Sequence, residues 1–415
     1  MTVQKVDEIR SRLAVLVALH GGDNRAELSA KTSLSPSTVG AHVDHLIQQG
    51  VLAEVGAKRL GGRGRPIYQL AMNNTAGVVL VAELGAVGAM LAVGDLSGRV
   101  LASELADDIE MTPGPGEVLE EICARLLDLL HSLSLTESAV RAFVIALPGP
   151  IDDVNGTVVR PTLLPGWDGY PIASELHARF GWAVELHNDA NMMAAGEALA
   201  LTPAELPMVF LKIGSGIGCG VVLEDGSIFQ GKDGSAGDIA HTPASGSHDV
   251  LCGCGRVGCL EAVTSTRAIL GKLRGDGAGF PFDPYASRKL AKLLEEGDPS
   301  AVLEVRRAAE IVGDAAALLV QIINPATVVI GGLVAAASDT VIASVRGRVY
   351  QSSQPLAVRS LVIRPSLLGE KAGVTGALRR AVEIALAPER IAALGRTPAA
   401  AVSVARGAGE RQPSF

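Results

Sequence analysis

The run Gly234-Ser235-Ala236-Gly237-Asp238-Ile239-Ala240-His241 is followed, after ten residues, by Cys252-Gly253-Cys254-Gly255-Arg256-Val257-Gly258-Cys259-Leu260-Glu261. Three thiols and an imidazole so close in sequence match the N/S ligand set of a tetrahedral zinc site. Gly253, Gly255 and Gly258 let a short loop wrap a single ion. The plain alternative is three buried thiols in a glycine-rich turn, but Cys-x-Cys-x4-Cys with a nearby His favours metal. The expected ligands are His241, Cys252, Cys254 and Cys259. Four protein ligands close the shell, so the zinc is expected to be structural rather than catalytic. The chain has five cysteines. Cys123 and Cys219 fall on a helix face and in a strand, and read as small buried hydrophobes.

Upstream, Ala183–Leu186 reads as a strand that ends at His187-Asn188-Asp189, and a helix of small residues follows to Ala200. Proteins of alternating α/β type place ligand groups at such strand ends. Asp189 suits a general base or an acceptor for a ligand hydroxyl; the simpler reading of a strand-end Asp is a helix cap. Met208–Ile213 is a strand leading into Gly214-Ser215-Gly216-Ile217-Gly218, whose amides could cradle phosphate. Many glycine-rich turns bind nothing, so this signal is weak alone. Further strands are expected at 78–84, 89–93, 100–105, 142–147, 220–223, 227–230, 328–330 and 361–365. Helices fill 113–131, 170–180, most of 260–323 and 373–386. Strand triplets alternating with helices predict an α/β protein of two lobes.

The chain has 415 residues, 48% hydrophobic and 19% charged. That suits a large buried core and excludes global disorder. Residues 76–94 carry Glu83 as their sole charge, yet four glycines break the stretch into strand lengths, so buried strands fit better than a membrane span. Met1–Arg12 has no signal-peptide pattern. The protein is expected to be soluble and cytoplasmic.

The formal net charge is −8 and is unevenly placed. Residues 1–75 hold nine Lys and Arg against six Asp and Glu; the remainder holds 27 against 38. In the basic part, Val6, Ile9, Leu13 and Leu16 give one apolar helix face. Asn24 can cap a second helix with Glu27 at the capping-box position. Ser35 and Pro36 fit the N-cap and first position of a third. Val39, Val43 and Leu46 form the buried stripe of that helix, and Ser37, Thr38, Ala41, His42 and His45 its outer face. Strands at 51–55 and 67–70 flank Lys58-Arg59-Leu60-Gly61-Gly62-Arg63-Gly64-Arg65-Pro66. Three helices and a basic hairpin predict a winged helix-turn-helix. The third helix would enter the major groove through Ser35, Ser37, Thr38, Ala41 and His42, with Arg63 and Arg65 on phosphates or in the minor groove. The alternative is a small protein-binding domain with a solvated basic loop.

Together these motifs resemble the ROK family of repressors and sugar kinases, from about Val6 to Leu386. The resemblance implies an actin-like (ribonuclease H-like), two-lobed α/β domain preceded by an α+β winged helix-turn-helix. Expected boundaries are 1–72 for the DNA-binding module, 76–186 plus 373–388 for one lobe, 187–372 for the other with the zinc loop, and 389–415 for a disordered tail. It also implies that Asn188, Asp189, Asp238, His241 and Glu261 hold sugar hydroxyls. Three departures stand out. Glu83-Leu84-Gly85-Ala86-Val87 replaces the family's Asp-x-Gly-Gly-Thr phosphate loop, so phosphoryl transfer is expected to be lost. Gly214, Ser215, Gly216 and Gly218 would then be a relic. Asp238 stands for Glu, and Thr162 for the usual Asn before Leu-Pro-Gly-Trp. The expected protein is a sugar-responsive, dimeric or tetrameric repressor on a palindromic operator, with a sugar or sugar phosphate as effector. The alternative is an active ATP-dependent sugar kinase with an appended regulatory domain, Asp189 being its base.

Overall fold

Glycine-punctuated apolar runs too short for helices pair into two open sheets, and the longer amphipathic segments cover them. The computed structural model describes residues 3–22, 24–58, 67–244, 249–275 and 283–394. In chain order the strands are β1 Leu52–Lys58, β2 Ile67–Met72, β3 Val78–Leu84, β4 Val87–Asp95, β5 Val100–Glu110, β6 Val140–Leu147, β7 Ile151–Asp152, β8 Thr157–Val158, β9 Val184–Asn188, β10 Met208–Ile213, β11 Ile217–Val222, β12 Thr327–Gly331 and β13 Val362–Pro365. The helices are α1 Val3–Leu19, α2 Arg25–Thr32, α3 Pro36–Gln48, α4 Pro115–Ser132, α5 Ile172–Phe180, α6 Asp189–Leu199, α7 Leu260–Thr264, α8 Thr266–Arg274, α9 Ala286–Glu295, α10 Pro299–Ile323, α11 Leu333–Ala337, α12 Asp339–Ser352, α13 Pro355–Val358, α14 Ala372–Ala385 and α15 Pro388–Leu394.

The first large sheet has the order β5-β4-β3-β6-β9, antiparallel from β5 to β3 and parallel from β3 to β9. The second has the order β11-β10-β12-β13, with β11 antiparallel and the others parallel. An antiparallel turn leading into parallel strands thus occurs in each sheet, as the two-lobed reading requires. Helices α6 and α14 cross between the sheets: α14 packs on β3 and β6, and α6 on β11. They touch through backbone. A Cβ on Gly376 would stand 2.0 Å from the Met192 carbonyl oxygen, and one on Gly196 1.9 Å from that of Ala372.

In the N-terminal module each expected cap is in place. The Asn24 side chain accepts from the Ala26 and Glu27 amides, and Ser35 Oγ from the Thr38 amide. Arg25 ties α2 to α3 and β1 through Asp44 (2.5 Å) and Glu54 (2.6 Å). β1 and β2 form the antiparallel hairpin of a wing; its tip, with Arg63 and Arg65, lies outside the described residues.

Two expectations need correction. Residues 227–230 are not a strand: Asp225 Oδ1 accepts from the Ser227 amide and hydroxyl, turning the chain, and only an isolated bridge joins Ile228 to Val222. The tail does not begin at 389. Residues 388–394 form α15, which buries Ile391 and Leu394 and packs on α1. Apolar spacing of three residues supplied that face, hidden within an Ala- and Arg-rich composition. Consequently one apolar core runs from Leu13 and Leu46 of the N-terminal module to Val382, Leu386 and Ile391 of the body. Among the described residues, no helix is long and apolar enough to cross a membrane.

Candidate functional site

β9 delivers Asn188 and Asp189 to the mouth of a cleft between the sheets, and α6 starts there. Asn188 Oδ1 caps the helix by accepting from the Asn191 amide (3.1 Å), while its Nδ2 donates to the Gly149 carbonyl (3.0 Å). One lone pair and one N–H remain for a ligand. Asp189 Oδ1 accepts from the Ala190 amide at 2.7 Å. Asn188, Asp189, Asp238, His241 and Glu261 all line this one cleft. Asp238 is exposed at its rim, whereas Glu261 is 5% exposed at its wall. The cleft also takes in Arg160, in the left-handed region at φ 44, whose backbone N–H donates a hydrogen bond to Asp168 Oδ1 (2.7 Å).

Sequence reasoning missed Lys212. Its ammonium pairs directly with Asp189 Oδ2. Burial lowers this Lys, but Asp189 and the nearby Glu83 and Glu261 outweigh it and leave the pKa raised. The signal was available: a lysine in the otherwise apolar strand Met208–Ile213 asks for a buried partner. Thr162 lines the same cleft. Its Oγ1 donates to Glu261 Oε1 (3.1 Å), so it works through Glu261.

A second cleft adjoins the first through Lys212, Leu163 and Gly216. It contains the first-loop residues Glu83–Val87 together with Gly214, Ser215, Gly331 and Gly332. Leu84, Ala86, Val87 and Met90 give this cleft an apolar side. Glu83 is packed against Gly373, and its Oε2 is buried without a hydrogen-bond partner among the described residues. Burial pushes the carboxyl up to about 7, with Lys212 pulling down and Asp189 pushing up. The fold therefore holds this proton to higher pH than the unfolded chain does. Its contribution is retained at low pH and lost as pH rises from about 4.5 through about 7. Full loss costs on the order of 3 kcal/mol. Glu83→Gln is expected to raise the melting temperature at pH 8, with the gain shrinking towards pH 5. A pH-independent difference would contradict this.

The four expected metal ligands converge. Their ligand atoms lie within 4.8 Å of one another. Cys252 Sγ stands 3.6 Å from His241 Nδ1, and Cys254 Sγ 3.7 Å from Cys259 Sγ. A tetrahedron with Zn–S of about 2.3 Å and Zn–N of about 2.0 Å has edges of roughly 3.5–3.8 Å, so the donor set fits zinc. The separation is far too long for a disulfide, about 2.05 Å. His241 serves both the metal cluster and the cleft, and Glu261 follows Cys259 by two residues. Burial pushes the Cys219 thiol up to about 12 and the Cys123 thiol up to about 11, in keeping with inert core residues.

On α3, Ser37 and Ala41 are exposed, and Thr38 and His42 half-buried, opposite the buried Val39, Val43 and Leu46. Ser35 Oγ is engaged with Ser37 Oγ (3.0 Å) and Thr38 Oγ1 (2.8 Å). Burial, then Arg10 and His45, lower the His42 pKa.

Comparison with known proteins gives a consistent picture. The sequence profile of the ROK family matches residues 79–383. The chain is 28% identical to the xylose repressor of Caldicellulosiruptor bescii over 369 residues, 86% of this chain and 90% of the relative. It is 32% identical to the glucokinase of Thermotoga maritima over 271 residues, 62% of this chain and 84% of the enzyme. Among solved structures, a ROK family transcriptional regulator, homologue of the E. coli MLC protein, superposes with a TM-score of 0.75 at 24% identity, covering 94% of this chain and 99% of that one. A ROK family glucokinase from Streptomyces griseus in complex with glucose and AMPPNP gives 0.60 at 24% identity, covering 74% and 99%. At such identity the two structures speak for the fold.

Proposed function

Because the chain belongs to the ROK family, we propose that it is a sugar-responsive transcriptional repressor that holds a structural Zn²⁺ and has lost kinase activity. One observation carries the reading. A single chain joins a capped, small-faced α3 to a cleft lined by Asn188, Asp189, Asp238, His241 and Glu261, in which Asp189 is paired with Lys212. The alignment with the xylose repressor takes in 86% of the chain, whereas that with the glucokinase takes in 62%.

The effector would be a sugar or sugar phosphate. Carboxylates and amides supply the directional acceptors and donors a polyol needs, and such sites discriminate strongly against a missing hydroxyl. Asn188, Asp189, Asp238, His241 and Glu261 would share this task. When bound, zinc would fix His241 and the loop before Glu261, with no part in chemistry. DNA would be read by Ser35, Ser37, Thr38, Ala41 and His42, with Arg63 and Arg65 on the backbone. A homodimer or tetramer would present two such modules to a palindromic operator.

Asp189 opens α6; α6 meets α14 through Gly196 and Gly376; and α15, which follows α14, packs on α1. A sugar that favours one lobe arrangement would bias the placement of the DNA modules through this packed series. Gel-shift binding to DNA upstream of the chain's own gene tests the repressor reading. Specific retention supports it, and none at any concentration refutes it.

The kinase reading keeps support from the glucokinase similarity and from the retained Gly214–Gly218 loop. A coupled ADP assay with D-glucose and D-xylose separates the two. No sugar-dependent turnover is expected; turnover that disappears in Asp189→Ala would establish a kinase.

A further inference from the structure

Phosphate cradles need free, convergent backbone amides. In the Gly214–Gly218 loop, two amides are already in use. Gly214 N–H donates to the Gly216 carbonyl (3.0 Å), and Ile217 N–H donates to Glu261 Oε2 (3.4 Å). The loop's carbonyls are also engaged. Gly214 O accepts from the Thr266 amide (2.9 Å), and Ser215 O from Arg267 Nε (2.8 Å). The Ser215 hydroxyl meets that of Ser287 at 3.1 Å.

Gly216 has a reason of its own. A Cβ there would stand 2.7 Å from Glu261 Oε2 and 3.0 Å from Leu163 Cδ1. The glycine therefore lets the loop close on a carboxylate that belongs to the first cleft. Arg267 completes the arrangement. While Nε holds the Ser215 carbonyl, its NH2 group reaches Glu261 Oε1 at 3.4 Å. Thr162 Oγ1 donates to the same oxygen at 3.1 Å. A planar guanidinium fork can fix two acceptors at once, which an ammonium cannot do. Of the roughly four lone-pair sites on the carboxylate, three are occupied and one on Oε2 is left for a ligand hydroxyl.

We propose that the glycine loop and Arg267 serve to position Glu261 for a sugar hydroxyl, and not to hold nucleotide phosphates. Arg267 is thus a positioning residue that acts through Glu261, and the loop is a working part of the sensor. The proposal rests on the sugar reading above and adds to it a role for residues outside the sugar's reach.

A double-mutant cycle tests it in the full-length, zinc-loaded protein. Glu261→Gln, Arg267→Met and the double variant are titrated calorimetrically with D-xylose and D-glucose, and the same four proteins are unfolded in urea. Arg267→Met is expected to weaken sugar binding at least tenfold while zinc content and DNA affinity stay at parental values. The double variant should bind no more weakly than Glu261→Gln alone, and Arg267→Lys should fall between parent and Arg267→Met. Independent, additive losses would overturn the proposal. So would AMPPNP binding to the parent that is lost in Gly216→Ala, because the loop would then be a phosphate cradle. If the parent binds neither sugar, a positioning role of Arg267 towards D-xylose or D-glucose is refuted. Coupling in urea, which needs no ligand, would in that case still report the Arg267–Glu261 contact separately.

Discussion

Cys254→Ser is expected to release the metal and to cost the protein several kcal/mol, read as a fall in melting temperature on the order of 10 °C. The residues around the cluster are held by short turns rather than by a sheet, among them Cys252 N–H to the Arg256 carbonyl and Gly258 N–H to the Val250 carbonyl. Between Asp249 and Cys259 the backbone makes isolated bridges, Leu251 to Val257 and Pro243 to Cys259, rather than a sheet. A serine at 254 leaves three ligands and an uncompensated loop. Because His241 and Glu261 flank the cluster and line the cleft, sugar binding should fall with the metal. The N-terminal module keeps its own helix caps but shares one apolar core with the body, so DNA binding should persist as long as that shared core remains folded. Metal analysis is expected to give about one zinc per chain in the parent and a small fraction of that in the variant. Parental zinc content in Cys254→Ser would contradict the four-ligand site.

The second large effect concerns the wing. Arg63→Ala and Arg65→Ala should each weaken binding about tenfold, and do so nearly equally for operator and unrelated DNA. Each should also reduce the slope of log affinity against log salt by about one, since each removes one phosphate neutralisation. Ser37→Ala on α3 should instead weaken the operator selectively. Loss of specificity without loss of salt dependence in the arginine variants would place those side chains on base edges. The charge division fits this expectation: a body of formal charge −11 would repel phosphates, and a module of +3 would attract them.

Much of this was legible in the sequence because it rests on short-range physics. Asn24, Ser35 and Pro36 announced two helix starts. Apolar runs between glycines announced β3, β4 and β6. Cysteine spacing announced the metal cluster, whose side chains need only a short loop to meet. What stayed hidden depends on contacts far apart in the chain. Lys212 pairs with Asp189 across 23 positions, and Thr162 reaches Glu261 across 99. The lone lysine in an apolar strand signalled a buried partner without saying which, and nothing local told of the Thr162 contact. Glu83 was read for its place in a phosphate loop, but its burial against Gly373 is a property of the assembled lobes. The α15 error had another source: Ile391 and Leu394 gain their meaning from α1, nearly the whole chain away.

The central claim is that sugar occupancy of the Asp189 cleft governs DNA binding by the N-terminal module. The direct measurement is fluorescence anisotropy of a labelled fragment from upstream of the chain's own gene, bound to saturation by pure full-length protein and then titrated with individual sugars and sugar phosphates at fixed salt. The account predicts that at least one of them releases the DNA in a saturable manner, and that Asp189→Ala binds the fragment as tightly but is not released. Anisotropy that no sugar changes, or release that is equal in parent and Asp189→Ala, would contradict it.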